Sequence, residues 1–291
     1  MYSDLMKRTQ HNALQTTGAV KHAIGTGAAW LFVLIFTVIA LLPFYLMLIM
    51  GTYRTEDLFT NFRFLPGTFL MENIRSIMQF DFLRYYGNSM FIAILSTVGS
   101  VFVSALAGFV FAKYQFRGRK LLFLLVVGAL AVPVQLNLVG LVIEINFLGL
   151  TNSLLPLCFI SMASPFAVFW MHQYIRSGVP NEILESGRID GCNEWRSFFR
   201  LVFPILRPAL IPVGLLQFVW SWNSYMGPLA LLSDVNKFTI PLAISLLNTE
   251  YRANLAAQIL CLAISTIPMV ILFACFSKYL IQGLVAGSVK G

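Results

Sequence analysis

Four of the chain's twelve acidic residues, Glu182, Glu185, Asp190 and Glu194, fall inside one short polar segment. Pro180 suits the first turn of a helix, where its missing N–H is not needed. Glu182 and Glu185 favour the positive end of the helix dipole. Ser186 and Gly187 form a small pair suited to close approach, and Asp190-Gly191 signals a turn and a helix stop. Asn193 then caps a second helix with Glu194 in its first turn. Phe198, Phe199 and Val202 supply that helix's apolar face, Pro204 ends it, and Arg207-Pro208 leads into the next apolar stretch. The expected shape is helix, tight glycine turn, helix. Its chemistry is recognition, because apolar side chains beside mixed charges suit docking into another protein. An amphipathic loop resting idle on a bilayer is the plainer alternative.

A second group consists of polar and aromatic residues inside apolar stretches. Gln135 and Asn137 follow Pro133, and Gln217, Trp220, Ser221, Trp222, Asn223 and Ser224 crowd a later stretch. Polar groups in lipid cost free energy unless paired, which makes them candidates for a solute path. Amides and hydroxyls suit a solute's polar groups, and aromatic faces suit its apolar faces. Amides without nearby charge suit a neutral solute better than an ion. The competing reading is interhelical hydrogen bonding, worth about 0.6 kcal/mol on average in membrane bundles.

Other chemistries find no support. Cys158, Cys192, Cys261 and Cys275 form no Cys-x-x-Cys pair, and His11, His22 and His172 form no helical ligand pair. They give neither a disulfide framework nor a metal site. No Gly-Lys dipeptide occurs, so there is no Walker phosphate loop. The chain is expected to have no catalytic residues and no cofactor of its own.

The elements that must position these residues follow from composition. Of 291 residues, 11% are charged and 58% hydrophobic, with a mean hydropathy of +0.78. Soluble domains run near a quarter charged. The formal charge of +8 suggests nucleic acid at first sight, but 26 Phe and so few charges cannot coat a soluble surface. A polytopic membrane protein remains. Six stretches are long enough to span, given about 20 apolar residues per helix: 28–50, 88–112, 121–143, 153–174, 208–232 and 254–280. The first reads as a retained helix rather than a removed signal. Counting Lys and Arg in the loops with the N-terminus inside gives fourteen on the inner side against six outside, which puts both termini in the cytoplasm.

The connections are unequal. The outer segment between the first two spans carries Ile74, Ile77, Met78 and Phe82, a patch expected to lie in the interface as a short helix. The longest inner connection is 177–207, the acidic segment described above. Ser96, Ser100, Ser104, Gly108 and Ala112 recur every fourth residue, a small face on which helix backbones approach closely in lipid. Pro133, Pro156, Pro165 and Pro268 interrupt the spans as pivots or as fixed kinks.

Glu185-Ser186-Gly187-Arg188-Ile189-Asp190-Gly191, followed by Phe203-Pro204 and Pro208, resembles the EAA loop of ABC importer permeases: Glu-Ala-Ala, three residues, then Gly. Ser186 and Gly187 replace the two alanines and stay small. Asp190 before Gly191, Trp222-Asn223-Ser224-Tyr225, the Asn88-Ser89 opening of the second span and the ending Gly283 to Gly291 resemble the carbohydrate branch, the MalG-type subunit. The resemblance covers nearly the whole chain apart from the first 25 residues.

That resemblance implies an all-α membrane protein with six transmembrane helices and a cytoplasmic EAA-type coupling helix, the MetI-like permease fold. Residues 1–27 would be a cytoplasmic segment, 28–280 the transmembrane domain and 281–291 a cytoplasmic tail. Glu182, Glu185, Ser186, Gly187, Asp190 and Gly191 would couple to an ATPase. Gln135, Asn137, Gln217, Trp220, Trp222 and Asn223 would be the candidate substrate path, although the defined sugar site can lie chiefly on a partner permease. The implied partners are a second homologous permease, two ATP-binding subunits carrying ATP and Mg, an extracytoplasmic solute-binding protein and membrane lipid, in a prokaryotic cell membrane. Asp234, Asn236, Asn248 and Glu250 would be the tip that reaches the binding protein. An importer of a non-sugar solute is the nearer rival. A self-sufficient channel or carrier would need paired intramembrane carboxylates or an inverted repeat. Only Glu144 stands near a span.

Overall fold

One helix of 32 residues, α3 (Phe82–Lys113), organises the bundle. At 1.5 Å per residue it is about 48 Å long, against about 30 Å for a bilayer's hydrocarbon core. It lacks proline from end to end, which is why it stays unbroken. In the computed structural model, which describes residues 26–27, 29–60, 64–250 and 254–288, every regular element is helical.

The remaining helices are α1 (Ala29–Met50), α2 (Leu70–Gln79), α4 (Arg119–Ala129), α5 (Leu138–Phe147), α6 (Leu155–Met162), α7 (Pro165–Gly178) and α8 (Asn181–Ile189). They continue with α9 (Glu194–Arg196), α10 (Phe203–Ile205), α11 (Arg207–Trp222), α12 (Met226–Leu231), α13 (Ile240–Glu250), α14 (Leu255–Ser265) and α15 (Ile267–Ser288). Among the described residues four helical stretches are long and apolar enough to cross a membrane: Ala29–Met50, Phe82–Lys113, Leu155–Gly178 and Leu255–Tyr279. A fifth is Glu194–Ile205 with Arg207–Trp222, which bend by 81° at Leu206.

Two expected spans differ from single helices. The stretch 121–143 is broken: α4 ends at Ala129, Pro133 takes an extended conformation, and a 3-10 turn over Val134–Asn137 precedes α5. The stretch 208–232 is α11 and α12 separated at Asn223–Tyr225. Proline marks the first of these breaks and several helix starts. Pro133 precedes the 3-10 turn, and Pro156, Pro165 and Pro268 each stand in the first turn of the helix that restarts, where a missing N–H costs nothing. Ser164 caps α7 by accepting a hydrogen bond from the Ala167 N–H at 3.3 Å.

The small stripe of α3 is buried as its spacing predicts. Ser96, Ser100, Ser104 and Gly108 face α6, α7 and α11, and Ala112 is half-buried. Two apolar cores stack along this helix. One holds Tyr85, Ile92, Cys158, Phe218, Trp222 and Leu242. The other, at the α8 end, holds Phe109, Met171, Ile175, Phe198, Val202 and Leu206.

The patch expected in the bilayer interface is instead largely core. Ile77 and Phe82 are buried and Ile74 is half-buried, because α2 turns this side onto α14 at Ala257 and Cys261. Only Met78 stays exposed. Asn73 fixes that placement, donating to the carbonyls of Gly51 and Tyr53 at 2.8 Å each. Helix α1 is exposed along most of its length. It meets the bundle at its last turn, where a Cβ on Gly51 would lie 2.8 Å from the Leu260 Cβ.

Candidate functional site

The acidic segment folds as helix, turn, helix. Glu182 stands in the first turn of α8, and Arg188 in the last turn complements the negative end of the dipole. Asp190 ends the helix and Gly191 follows at φ +75°, a left-handed conformation that glycine adopts without strain. The Cys192 N–H donates to the Gly187 carbonyl at 2.8 Å and the Gly191 N–H to the Arg188 carbonyl at 3.1 Å. These two bonds make a Schellman ending that satisfies the helix's last carbonyls. Asn193 then caps α9, its Oδ1 accepting from the Arg196 N–H at 2.8 Å.

Three details depart from the expectation. Pro180 is the residue before α8 rather than part of its first turn. Pro204 does not end the second helix: α9 runs into a π-helical segment, Ser197–Val202, and then α10, and the chain turns at Leu206. Of the small pair only Gly187 packs closely, since a Cβ there would fall 2.5 Å from Leu201 Cδ1, while Ser186 is exposed.

Glu182, Glu185, Asp190 and Gly191 are exposed around the turn, with Ile189 protruding at 86% exposure. An exposed isoleucine beside three carboxylates gives this turn a mixed apolar and acidic surface. The opposite side of the motif is anchored. Phe198 and Val202 are buried in the core, whereas Phe199 is exposed and stacks with Trp195 and Phe102 at ring separations of 6.2 and 6.1 Å.

The anchors on α3 carry no motif in the sequence. Lys113, the last residue of α3, donates to the carbonyl of Val179 and, at 2.9 Å, to Asn181 Oδ1 at the start of α8. Tyr114 donates its hydroxyl to a Glu194 carboxylate oxygen, and Arg188 pairs with the other oxygen at 3.2 Å. Burial first, then the Glu194 carboxylate, pushes the Tyr114 phenol up to about 12, and Glu194 raises the Arg188 guanidinium above its ordinary value. The one cue in the sequence was position, since Lys113 and Tyr114 open the short basic hairpin before Lys120.

The candidates for a solute path do not form one cluster. Trp222 is buried, stacks on Phe218 at 5.7 Å and donates its indole N–H to the Ser265 carbonyl at 3.1 Å. It is a packing residue. Gln217 is buried, with its side-chain N–H groups lacking an acceptor among the described residues. Trp220 is exposed and meets Phe166 edge-on at 5.4 Å. Asn223 is exposed at the end of α11, bonded to the Val219 carbonyl. Gln135 and Asn137 are exposed on the 3-10 turn between α4 and α5. An apolar groove of about 350 Å³ between α3, α11 and α15, lined by Tyr86, Met90, Thr97, Phe218 and Ile271, includes none of the six.

At the opposite end of α3, Asp234 caps a 3-10 turn, Val235–Lys237, and Asn236 bonds back to Asp234. Asn248 and Glu250 stand in the last turn of α13, where the side chains lie outside the described residues.

Residues 100–285 match the family of binding-protein-dependent transport system inner membrane components. The chain is 33% identical over 271 residues to the arabinooligosaccharides transport system permease protein AraQ of Halalkalibacterium halodurans, covering 90% of this chain and 97% of that one. It is 34% identical over 210 residues to the AraQ protein of Bacillus subtilis, covering 72% and 74%. A chain in the crystal structure of a bacterial ABC transporter involved in import of the acidic polysaccharide alginate superposes with a TM-score of 0.75 at 20% identity, covering 88% of this chain and 96% of that one. The family match, the AraQ likeness and the shared fold agree, and this chain belongs to the binding-protein-dependent transport system inner membrane components.

Proposed function

We propose that this chain is a permease subunit of an ATP-driven, solute-binding-protein-dependent importer of a sugar or oligosaccharide. It contributes half of the translocation path, and α8 is its coupling helix. The carrying observation is the anchored recognition motif: Glu182, Glu185, Ile189 and Asp190 are exposed while Lys113 and Tyr114 bind the same motif to α3. A push on the exposed face is thereby delivered to the central helix. ATP hydrolysis belongs to two separate ATP-binding subunits, and a second, homologous permease completes the path.

Six crossings follow when α4 with α5 and α11 with α12 are each taken as one broken span. The inner side is then the α8 end, by the excess of Lys and Arg, with both termini in the cytoplasm. The likeness to arabinooligosaccharide permeases supports a carbohydrate cargo.

Uptake by the complex reconstituted in liposomes tests this reading. Glu185→Lys reverses the charge on the recognition surface without touching the anchors, and is expected to abolish uptake while the purified membrane subunits remain folded. Wild-type uptake by this variant overturns the role given to α8. Titration calorimetry of the binding protein with arabinooligosaccharides tests the cargo, and exclusive binding of a peptide or an ion overturns it.

A further inference from the structure

Resting on that reading of α8, we infer that Asn88 and Ser89 are positioning residues that tie the outer loop 232–239 to α3, so that α3 carries displacement of α8 to that loop. The Asn88 side-chain amide donates to the carbonyls of Asn236 and Phe238, both at 3.0 Å. Ser89, buried, accepts from the Ile240 N–H at 2.8 Å. Arg84, one turn earlier, bonds the Asn236 side chain. The second half of the loop is therefore attached to α3.

The loop is also attached elsewhere. Asn152 Oδ1 accepts from the N–H groups of Ser233 and Asp234 at 3.2 and 3.0 Å, and the Asn152 carbonyl accepts from Lys237 Nζ at 2.7 Å. The loop bridges α3 and the turn after α5, so any movement of α3 along that turn shears it.

Other routes from α8 are interrupted. Helix α7 precedes α8 in the chain, but its span breaks at Ala163–Ser164. Helix α11 bends 81° from the segment before it and stops at Asn223. Among the described elements that meet the α8–α9 motif, α3 alone runs unbroken to the opposite end. Lys113 and Tyr114 hold one end and Asn88 and Ser89 the other. A proline-free helix with its small face packed transmits displacement along its axis rather than absorbing it.

The test uses the complete complex with its ATP-binding subunits, in a background carrying Cys192→Ala and Cys275→Ala to remove the accessible thiols. Spin labels are attached at Arg196→Cys, exposed on the motif, and at Val235→Cys, exposed on the loop. Spectra are compared between MgADP and a non-hydrolysable ATP analogue. Both labels are expected to respond in this background. Asn88→Asp keeps the side chain's shape but cannot donate, and is expected to abolish the response at 235 while preserving it at 196. The paired Asn88→Ala, Ser89→Ala variant should do the same.

A response at 235 that survives Asn88→Asp overturns the inference, as does loss of both responses in that variant. A background in which 196 responds and 235 does not overturns the inference alone. A background in which 196 is silent overturns the reading of α8 itself.

Discussion

Gly108 of α3 and Met171 of α7 meet backbone to backbone: a Cβ on Gly108 would stand 2.7 Å from the Met171 Cβ and 2.8 Å from the His172 backbone nitrogen. Neither contact is relieved by rotating a side chain. This close crossing of the two helices depends on the absence of one carbon atom.

Gly108→Ala should therefore destabilise the protein by about 1–3 kcal/mol, the usual range for overpacking. Gly87, on the same helix, has nothing among the described residues within 4 Å of a Cβ. Gly87→Ala should be neutral or stabilising by up to about 1 kcal/mol from helix propensity. Thermal unfolding of both variants in detergent checks the contrast.

Gly191 is constrained by conformation rather than by space, since φ is +75° and nothing among the described residues lies within 4 Å of a Cβ. Gly191→Ala is expected to cost about 1–2 kcal/mol, the cost of the left-handed region for an ordinary residue. Gly191→Asn should recover much of that loss, because asparagine visits this region. If steric contact with a partner were the only constraint, the larger asparagine would be the worse of the two, as uptake assays on both variants would reveal.

Trp222 and Trp220 should separate in their effects although both were candidates for the solute path. Trp222→Phe removes one hydrogen bond to Ser265 in a buried setting and should cost about 0.5–1.5 kcal/mol, seen as a lower unfolding midpoint. Trp220 is exposed, and Trp220→Phe should leave that midpoint unchanged.

The Tyr114–Glu194 bond carries a pH signature. The phenol's ordinary value of 10.0 is raised to about 12 in the folded chain. The folded state thus holds this proton more tightly than the unfolded state, so the stabilisation is fully present below pH 10.0 and is lost as pH rises through about 12. The difference in unfolding midpoint between wild type and Tyr114→Phe should shrink across that alkaline window and stay constant below it.

Much of the α8 motif was legible because its signals are local. Glycine at the left-handed position, asparagine at the cap and carboxylates in the first turn act within a few residues of where they stand. The stripe from Ser96 to Gly108 was legible for the same reason, since a four-residue period marks one helix face whatever packs on it. Pro133 announced an interruption, but a proline does not say whether a helix will kink or stop. Here the chain leaves the helix and re-enters through a 3-10 turn.

What the amino-acid order determined by itself is the helical, membrane-spanning character, the helix-turn-helix with its acidic face, and the resemblance that led to the family. What the tertiary structure decided is which residues act together. Lys113 reaches Val179 across 66 positions and Asn88 reaches Phe238 across 150, partners that no local pattern can nominate. The same holds for Ile77 and Phe82, apolar enough for a lipid interface but buried because α14 lies beside them. It also holds for Trp222, whose indole N–H is satisfied by a carbonyl 43 residues away. Propensity and capping are short-range energies fixed by neighbours along the chain, whereas burial and hydrogen-bond pairing depend on which helices pack together.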